Sequence, residues 1–150
     1  MRVVIQRTAS SAVTINGTEH RPCAGGMLIL LGIEQEDTTE DLEWLCRKII
    51  SLRIFPDEEG VMNRSILEDG GSVLLISQFT LFASTRKGNR PSYIRAARPE
   101  TAIPLYEKFV ARLEELLGKT VVTGTFGADM KVELVNDGPV TIIIDSRLKE

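Results

Sequence analysis

The chain has one histidine, His20, and two cysteines, Cys23 and Cys46, among its 150 residues. A Ser-His-Asp or Cys-His mechanism would have a single candidate base, and that base sits in a turn-like context. Neither cysteine belongs to a Cys-x-x-Cys or Cys/His cluster, so buried free thiols are expected and a zinc site is not. There is no His-Glu-x-x-His, no Gly-x-x-x-x-Gly-Lys and no Gly-x-Gly-x-x-Gly after a strand, so metal hydrolysis, nucleotide hydrolysis and dinucleotide redox lose support. No cofactor and no metal are expected. Apolar runs stop at about five residues, far short of the ~20 that span a bilayer. Charge and amide also interrupt Met1-Arg2-Val3-Val4-Ile5-Gln6-Arg7 too early for a signal peptide. A soluble, cytoplasmic protein with no membrane partner is the expectation. The formal charge of -3 argues against a domain that holds nucleic acid by its overall field.

The chain is 43% hydrophobic and 26% charged, and it contains no linker-like stretch, so residues 1–150 are read as one globular domain. Val3-Val4-Ile5 and Ala12-Val13-Thr14-Ile15 are rich in β-formers, and Asn16-Gly17 supplies a tight hairpin turn. Gly25-Gly26 introduces the apolar run Met27 to Leu31, suited to a central strand covered on both faces. After an acidic turn, Leu42, Leu45, Cys46, Ile49 and Leu52 or Arg53 recur at helical spacing, with Asp37, Thr38 or Thr39 as cap. Gly70-Gly71 then launches Val73 to Ile76, a repetition 45 residues on that hints at duplication without proving it. A second helix starts near Pro99, buries Ala102, Leu105, Tyr106, Phe109 and Leu113, and stops at Gly118. Thr120 to Val122, Met130 to Leu134 and Val140 to Ile144 complete the β-like segments. The pattern predicts an α+β domain with a largely antiparallel, barrel-like sheet and two main helices.

Two stretches carry the chemistry. Ser77-Gln78-Phe79-Thr80-Leu81-Phe82-Ala83 reads as a strand whose end turns polar, with Gln78, Thr80 and Phe82 on one side and Ser77, Phe79 and Leu81 on the other. Asn136-Asp137-Gly138-Pro139-Val140-Thr141 joins two strands, and its Gly-Pro is either an ordinary turn or a cis peptide that aims two carbonyls one way. Between them, Thr85 to Arg98 holds five cations (Arg86, Lys87, Arg90, Arg95, Arg98), no acid and one aromatic, Tyr93. Such a loop suits a phosphate backbone and a stacked base. Hydroxyls, amides and backbone groups can position a water and stabilise an oxyanion, which suffices for a reactive ester.

These two motifs together resemble the paired signatures of the D-aminoacyl-tRNA deacylases. Val4-Ile5-Gln6-Arg7, Leu52-Arg53-Ile54-Phe55, Lys87-Gly88-Asn89-Arg90-Pro91-Ser92 and Phe126-Gly127-Ala128-Asp129-Met130 extend the resemblance along the whole chain. It implies hydrolysis of the ester between a D-amino acid and the 3' end of tRNA, in a homodimer whose active site lies at the subunit interface. Ser77, Gln78, Phe79 and Thr80 would be the catalytic set. Ala83, Met130, Asn136, Gly138 and Pro139 would surround the substrate, with a cis Gly138-Pro139 of the other subunit excluding L side chains. Glycine, with no side chain to reject, should also enter. Lys87, Arg90 and Arg95 are the candidates for tRNA phosphates. Thr80 is a tempting nucleophile, but no base stands near it in sequence, and the ribose 2'-hydroxyl of the substrate is the alternative activating group.

Overall fold

The computed structural model describes residues 1–149. Strand β1 (Arg2–Ile15) turns back into β2 (Glu19–Gly32) through Asn16 and Gly17, both at positive φ (49° and 72°), as a tight hairpin of right-handed strands requires. Helix α1 (Thr39–Ser51) follows, with a short hairpin of β3 (Phe55–Pro56) and β4 (Met62–Arg64), and one turn of helix, α2 (Ile66–Asp69). Then come β5 (Ser72–Ser77), α3 (Pro99–Leu117), β6 (Val122–Thr123) and β7 (Met130–Asp145). No helix is long and apolar enough to cross a membrane.

The α+β class expected from the sequence holds, and the apolar run of β2 does occupy the middle of a five-stranded sheet ordered β6-β5-β2-β1-β7. The sheet is mixed. β1 pairs antiparallel with β2 and with β7, whereas β2–β5 and β5–β6 are parallel. A parallel neighbour needs a crossover, and α1 with its following hairpin provides it. The two Gly-Gly pairs are explained by this pairing, since Gly26 lies opposite Ser72 and a Cβ on Gly71 would meet Gly26 Cα at 3.0 Å. They mark one close backbone approach between neighbouring strands.

One face of the sheet is covered by the two long helices. α1 begins at Thr38, whose amide donates to Asp41 Oδ2 (2.9 Å), and contributes Leu42, Leu45, Cys46, Ile49 and Ile50. α3 takes Pro99 in its first turn, ends on Gly118 in the left-handed region (φ 68°), and contributes Ala102, Tyr106, Phe109 and Leu113. These meet Val3, Ile5, Met27, Ile29, Leu31, Val73 and Leu75 in the main core. The opposite face curls on itself, so that Met130, Val132 and Leu134 of β7 pack with Leu74, Ile76 and Val122 around Val13, Ile15, Cys23 and Leu28. This curl is the barrel-like feature, although β6 and β7 remain the two edges.

Both cysteines are free and buried, as expected. Burial pushes the Cys46 thiol up to about 12 and raises that of Cys23 as well, and only the thiolate is nucleophilic. Neither thiol should react with iodoacetamide at pH 8 until the protein unfolds. Prompt alkylation of the native protein, read by mass spectrometry, would contradict this packing.

Candidate active site

The first signature is where the strand expectation fails. β5 ends at Ser77, and Phe79–Phe82 form a turn of 3-10 helix, so the alternating faces expected through Ala83 do not exist. Gln78 continues the sheet by donating its amide to Leu31 O (2.8 Å), after which Leu81 N and Ala83 N bond back to Gln78 O and Thr80 O. The N–H groups of Phe79 and Thr80, at the open start of this turn, meet no protein acceptor among the described residues. The first donors of any helical turn are left over in this way, and here they lie where the polypeptide leaves the sheet.

That point borders a cleft of about 280 Å³. Ser77, Gln78 and Phe79 form one wall, and Phe126, Ala128 and Met130 from the stretch before and within β7 form another. Thr80 lies on the other side of the turn, in a wider groove shared with Arg2, Val4 and Leu81. Its hydroxyl accepts a hydrogen bond from the Gln78 side-chain amide, so Gln78 spans the two spaces. No histidine or carboxylate lines the cleft, and His20 is bound instead to Thr14 at 3.1 Å, far along the hairpin. Ala83 is exposed at the end of the turn.

Two arginines brace this turn. Arg2 donates to Leu81 O (2.8 Å), is paired through Nε and Nη2 with Asp145 Oδ2 (3.0 and 2.8 Å), and lies 4.9 Å from the centroid of the buried Phe82 ring. Arg95, expected to face tRNA phosphate, is 5.4 Å from the same ring and donates from Nε and Nη2 to Glu34 Oε1 (3.0 and 2.7 Å). Its charge is therefore already matched within the chain. Lys87 and Arg90 sit on the exposed loop, and among the described residues they form no ion pair.

The second signature does not separate two strands as expected. It is an excursion within the continuous β7, where residues 137–140 face the single residue Arg7 between the pairs Gln6–Thr141 and Thr8–Asn136. The Gly138-Pro139 bond is cis, one of the two forms that the sequence left open. Asn136, expected at the substrate, is turned to local work: its Oδ1 accepts from Val140 N (2.9 Å). Arg7 holds the excursion from below, donating to Asp137 O (3.0 Å) and to Ile54 O (2.6 Å), with the Asp137 carboxylate 3.4 Å away. Sequence reasoning assigned Arg7 no role; its membership of a matching stretch was the only signal, because its partner Ile54 is distant in the chain.

A single chain does not bring the two signatures together. Ser77 is level with Leu31, Val3 and Ile144 across the sheet, while Gly138 faces Arg7, four residues further along β1. At about 3.3 Å per residue and 4.8 Å per strand, the separation is roughly 20 Å. An amino-acid ester is too small to touch both.

A turn with open amides at the edge of a cleft that no side-chain base lines leaves backbone and substrate groups to carry out any acyl chemistry there. The model of the family described as D-Tyr-tRNA(Tyr) deacylase matches residues 4–145. D-aminoacyl-tRNA deacylases of Bacteroides thetaiotaomicron and Chromobacterium violaceum are 63% and 59% identical to this chain over 150 residues, each covering 100% of both sequences. Among solved structures, a c-Myc DNA unwinding element binding protein is 38% identical, with TM-score 0.91 over 97% of this chain and 98% of its own. A probable eukaryotic D-amino acid tRNA deacylase, 18% identical, shares the fold at TM-score 0.84 over 95% and 97%. The chain belongs to the D-aminoacyl-tRNA deacylase family, a family of aminoacyl-tRNA hydrolases.

Proposed function

We propose that this protein hydrolyses the ester joining a D-amino acid to the terminal adenosine of tRNA, in the cytoplasm, and thereby returns mischarged tRNA to use. The observation that carries this reading is the open N–H of Phe79 at the edge of a cleft with no side-chain base, with the open N–H of Thr80 next to it at the start of the same turn. The carbonyl oxygen takes those two donors, with Ser77 and Gln78 orienting the ester. A water oxygen bonds to the carbonyl carbon, the bond to the ribose oxygen breaks, and that oxygen receives the proton. The vicinal 2'-hydroxyl of the ribose assists the water, the role a histidine would otherwise take.

Two copies complete the site. The excursion at Gly138 and Pro139 lies about 20 Å from its own cleft and is exposed, so a partner's cleft is the one it can enter. There its carbonyls occupy the space an L side chain needs, while Met130 lines the floor. Discrimination by exclusion leaves the D side chain unread, so many D-aminoacyl-tRNAs are accepted, and glycyl-tRNA with them.

The decisive measurement is the decay of one tRNA charged with D-tyrosine or with L-tyrosine, with and without substoichiometric protein. Loss of the D ester alone is expected; equal decay with and without protein would overturn the reading. Thr80→Ala removes a hydroxyl and retains the backbone donor, so single-turnover kcat should fall less than about tenfold, against the ~10²–10³ typical for loss of an oxyanion donor. A trapped acyl-enzyme on Thr80 would instead make it the nucleophile. On the basic loop, Lys87→Ala and Arg90→Ala should each lower the slope of log affinity against log salt by about one. Arg95→Ala should change that slope less, since Glu34 already holds its charge.

A further inference from the structure

Phe79 and Tyr93 are 55% and 40% exposed and stack edge to face, with ring centroids 5.0 Å apart and planes at 74°. Ile94, next in the chain, is 89% exposed. Single exposed apolar residues are ordinary, but these are displayed on a braced segment. Ser84 and Ser92 exchange backbone hydrogen bonds (2.8 and 2.9 Å), closing the basic loop at its base. Ala97 N then donates to Ile33 O (2.9 Å), tying the far end to the sheet. The residues between are thus fixed at both ends, with an aromatic pair at the rim of the cleft.

The charge around this patch has one sign. Thr85 to Arg98 contains no acid, and among the described residues Arg86, Lys87, Arg90 and Arg98 form no ion pair. In a two-fold contact between copies, the patch meeting itself would set cations against cations. A polyanion with accessible flat faces fits both the charge and the rings.

We infer that Tyr93 and Ile94, with Phe79, form a stacking platform for the unpaired nucleotides just upstream of the terminal adenosine of tRNA. Arg86, Lys87 and Arg90 meet their phosphates. The inference rests on the proposed reaction, which places the terminal adenosine at the cleft. The side chains of the platform then grip the strand that delivers the ester, and only the backbone N–H of Phe79 reaches the reacting carbonyl.

The test compares binding of uncharged tRNA with that of the same tRNA lacking its last three nucleotides. For intact tRNA, Tyr93→Ala should weaken binding about tenfold, the scale of one lost base stack, Ile94→Ser several-fold, and Tyr93→Phe little. For shortened tRNA, wild type should fall to the level of Tyr93→Ala, and the variants should no longer differ. An unchanged affinity of Tyr93→Ala for intact tRNA overturns the platform, as does an equal loss on shortened tRNA. A change in the sedimentation of Tyr93→Ala without RNA would mark the patch as a protein contact and also overturn it. Wild-type turnover of the D ester, followed in parallel, separates the two proposals. Turnover with no effect of Tyr93→Ala on binding defeats the platform alone. No turnover with the binding pattern intact defeats the reaction and leaves an RNA-binding surface.

Discussion

Gly138→Ala is expected to reduce single-turnover cleavage of D-tyrosyl-tRNA by about 10²-fold, the cost of displacing a positioning group by around 1 Å, while leaving thermal unfolding nearly unchanged. Gly138 has φ 136°, which L side chains rarely adopt, and a Cβ there would lie 2.8 Å from Val140 Cγ2, 3.0 Å from Val140 N and 3.2 Å from Arg7 Nη2. Neither neighbour yields easily. Val140 N is held by Asn136 Oδ1, and the Arg7 guanidinium is fixed by the carbonyls of Asp137 and Ile54. The backbone of the excursion must therefore move. Because Gly138 and Pro139 are themselves exposed, the damage should appear in catalysis and in the ratio of D to L cleavage. Undiminished cleavage with unchanged chiral selectivity would show that this excursion does not reach the site.

The largest effect on stability is expected two strands away at nearly the same level, since Gly26 pairs with Thr8, next to the Arg7 that faces the excursion. In Gly26→Ala, the added Cβ would fall 2.0 Å from Ser72 O and 2.5 Å from Ser72 N, at a φ of 152°. Both contacts are with backbone, so no side-chain rotation relieves them, and β2 must part from β5 where their parallel pairing begins. Such a clash belongs with the rare substitutions that cost about 4 kcal/mol or more. Urea unfolding should show a large drop in midpoint or no cooperative transition. A loss below about 1 kcal/mol would mean that the strands separate there at little cost, contrary to the packing around Gly71.

What the sequence made legible follows periodicity and punctuation. The stripes of α1 and α3, the proline and glycine at the ends of α3, the Asn16-Gly17 hairpin and the central place of Met27 to Leu31 are local signals, and each element forms accordingly. The parallel neighbours of β5 were not legible, because pairing is decided between segments far apart in sequence. Phe79–Phe82 misled by composition: two aromatics and a β-branched residue favour strand, yet Gln78 bonds to Leu31 and the chain then tightens into a turn. Arg95 read as a free cation until Glu34 was seen beside it. Arg7 gave no signal beyond its place in a matching stretch and Arg2 none, since Leu81 O and Ile54 O, which hold them in place, are backbone atoms that any residue carries.

The pairing of β1 with β7 joins Arg2 to Asp145 and Ile15 to Met130, so a strand made early in synthesis is completed by one made more than 100 residues later. Val3 and Ile5 can pair with β2 early, but the edge that covers them arrives only after residues 130–145 have left the exit tunnel. Long-range closure of this kind slows folding, because loop entropy is lost before the contacts that reward it. A chain stalled before β7 would expose the open edge of β1 and an unfinished cleft. Surveillance that removes incomplete nascent chains would therefore find in this protein a target distinguishable until β7 is made.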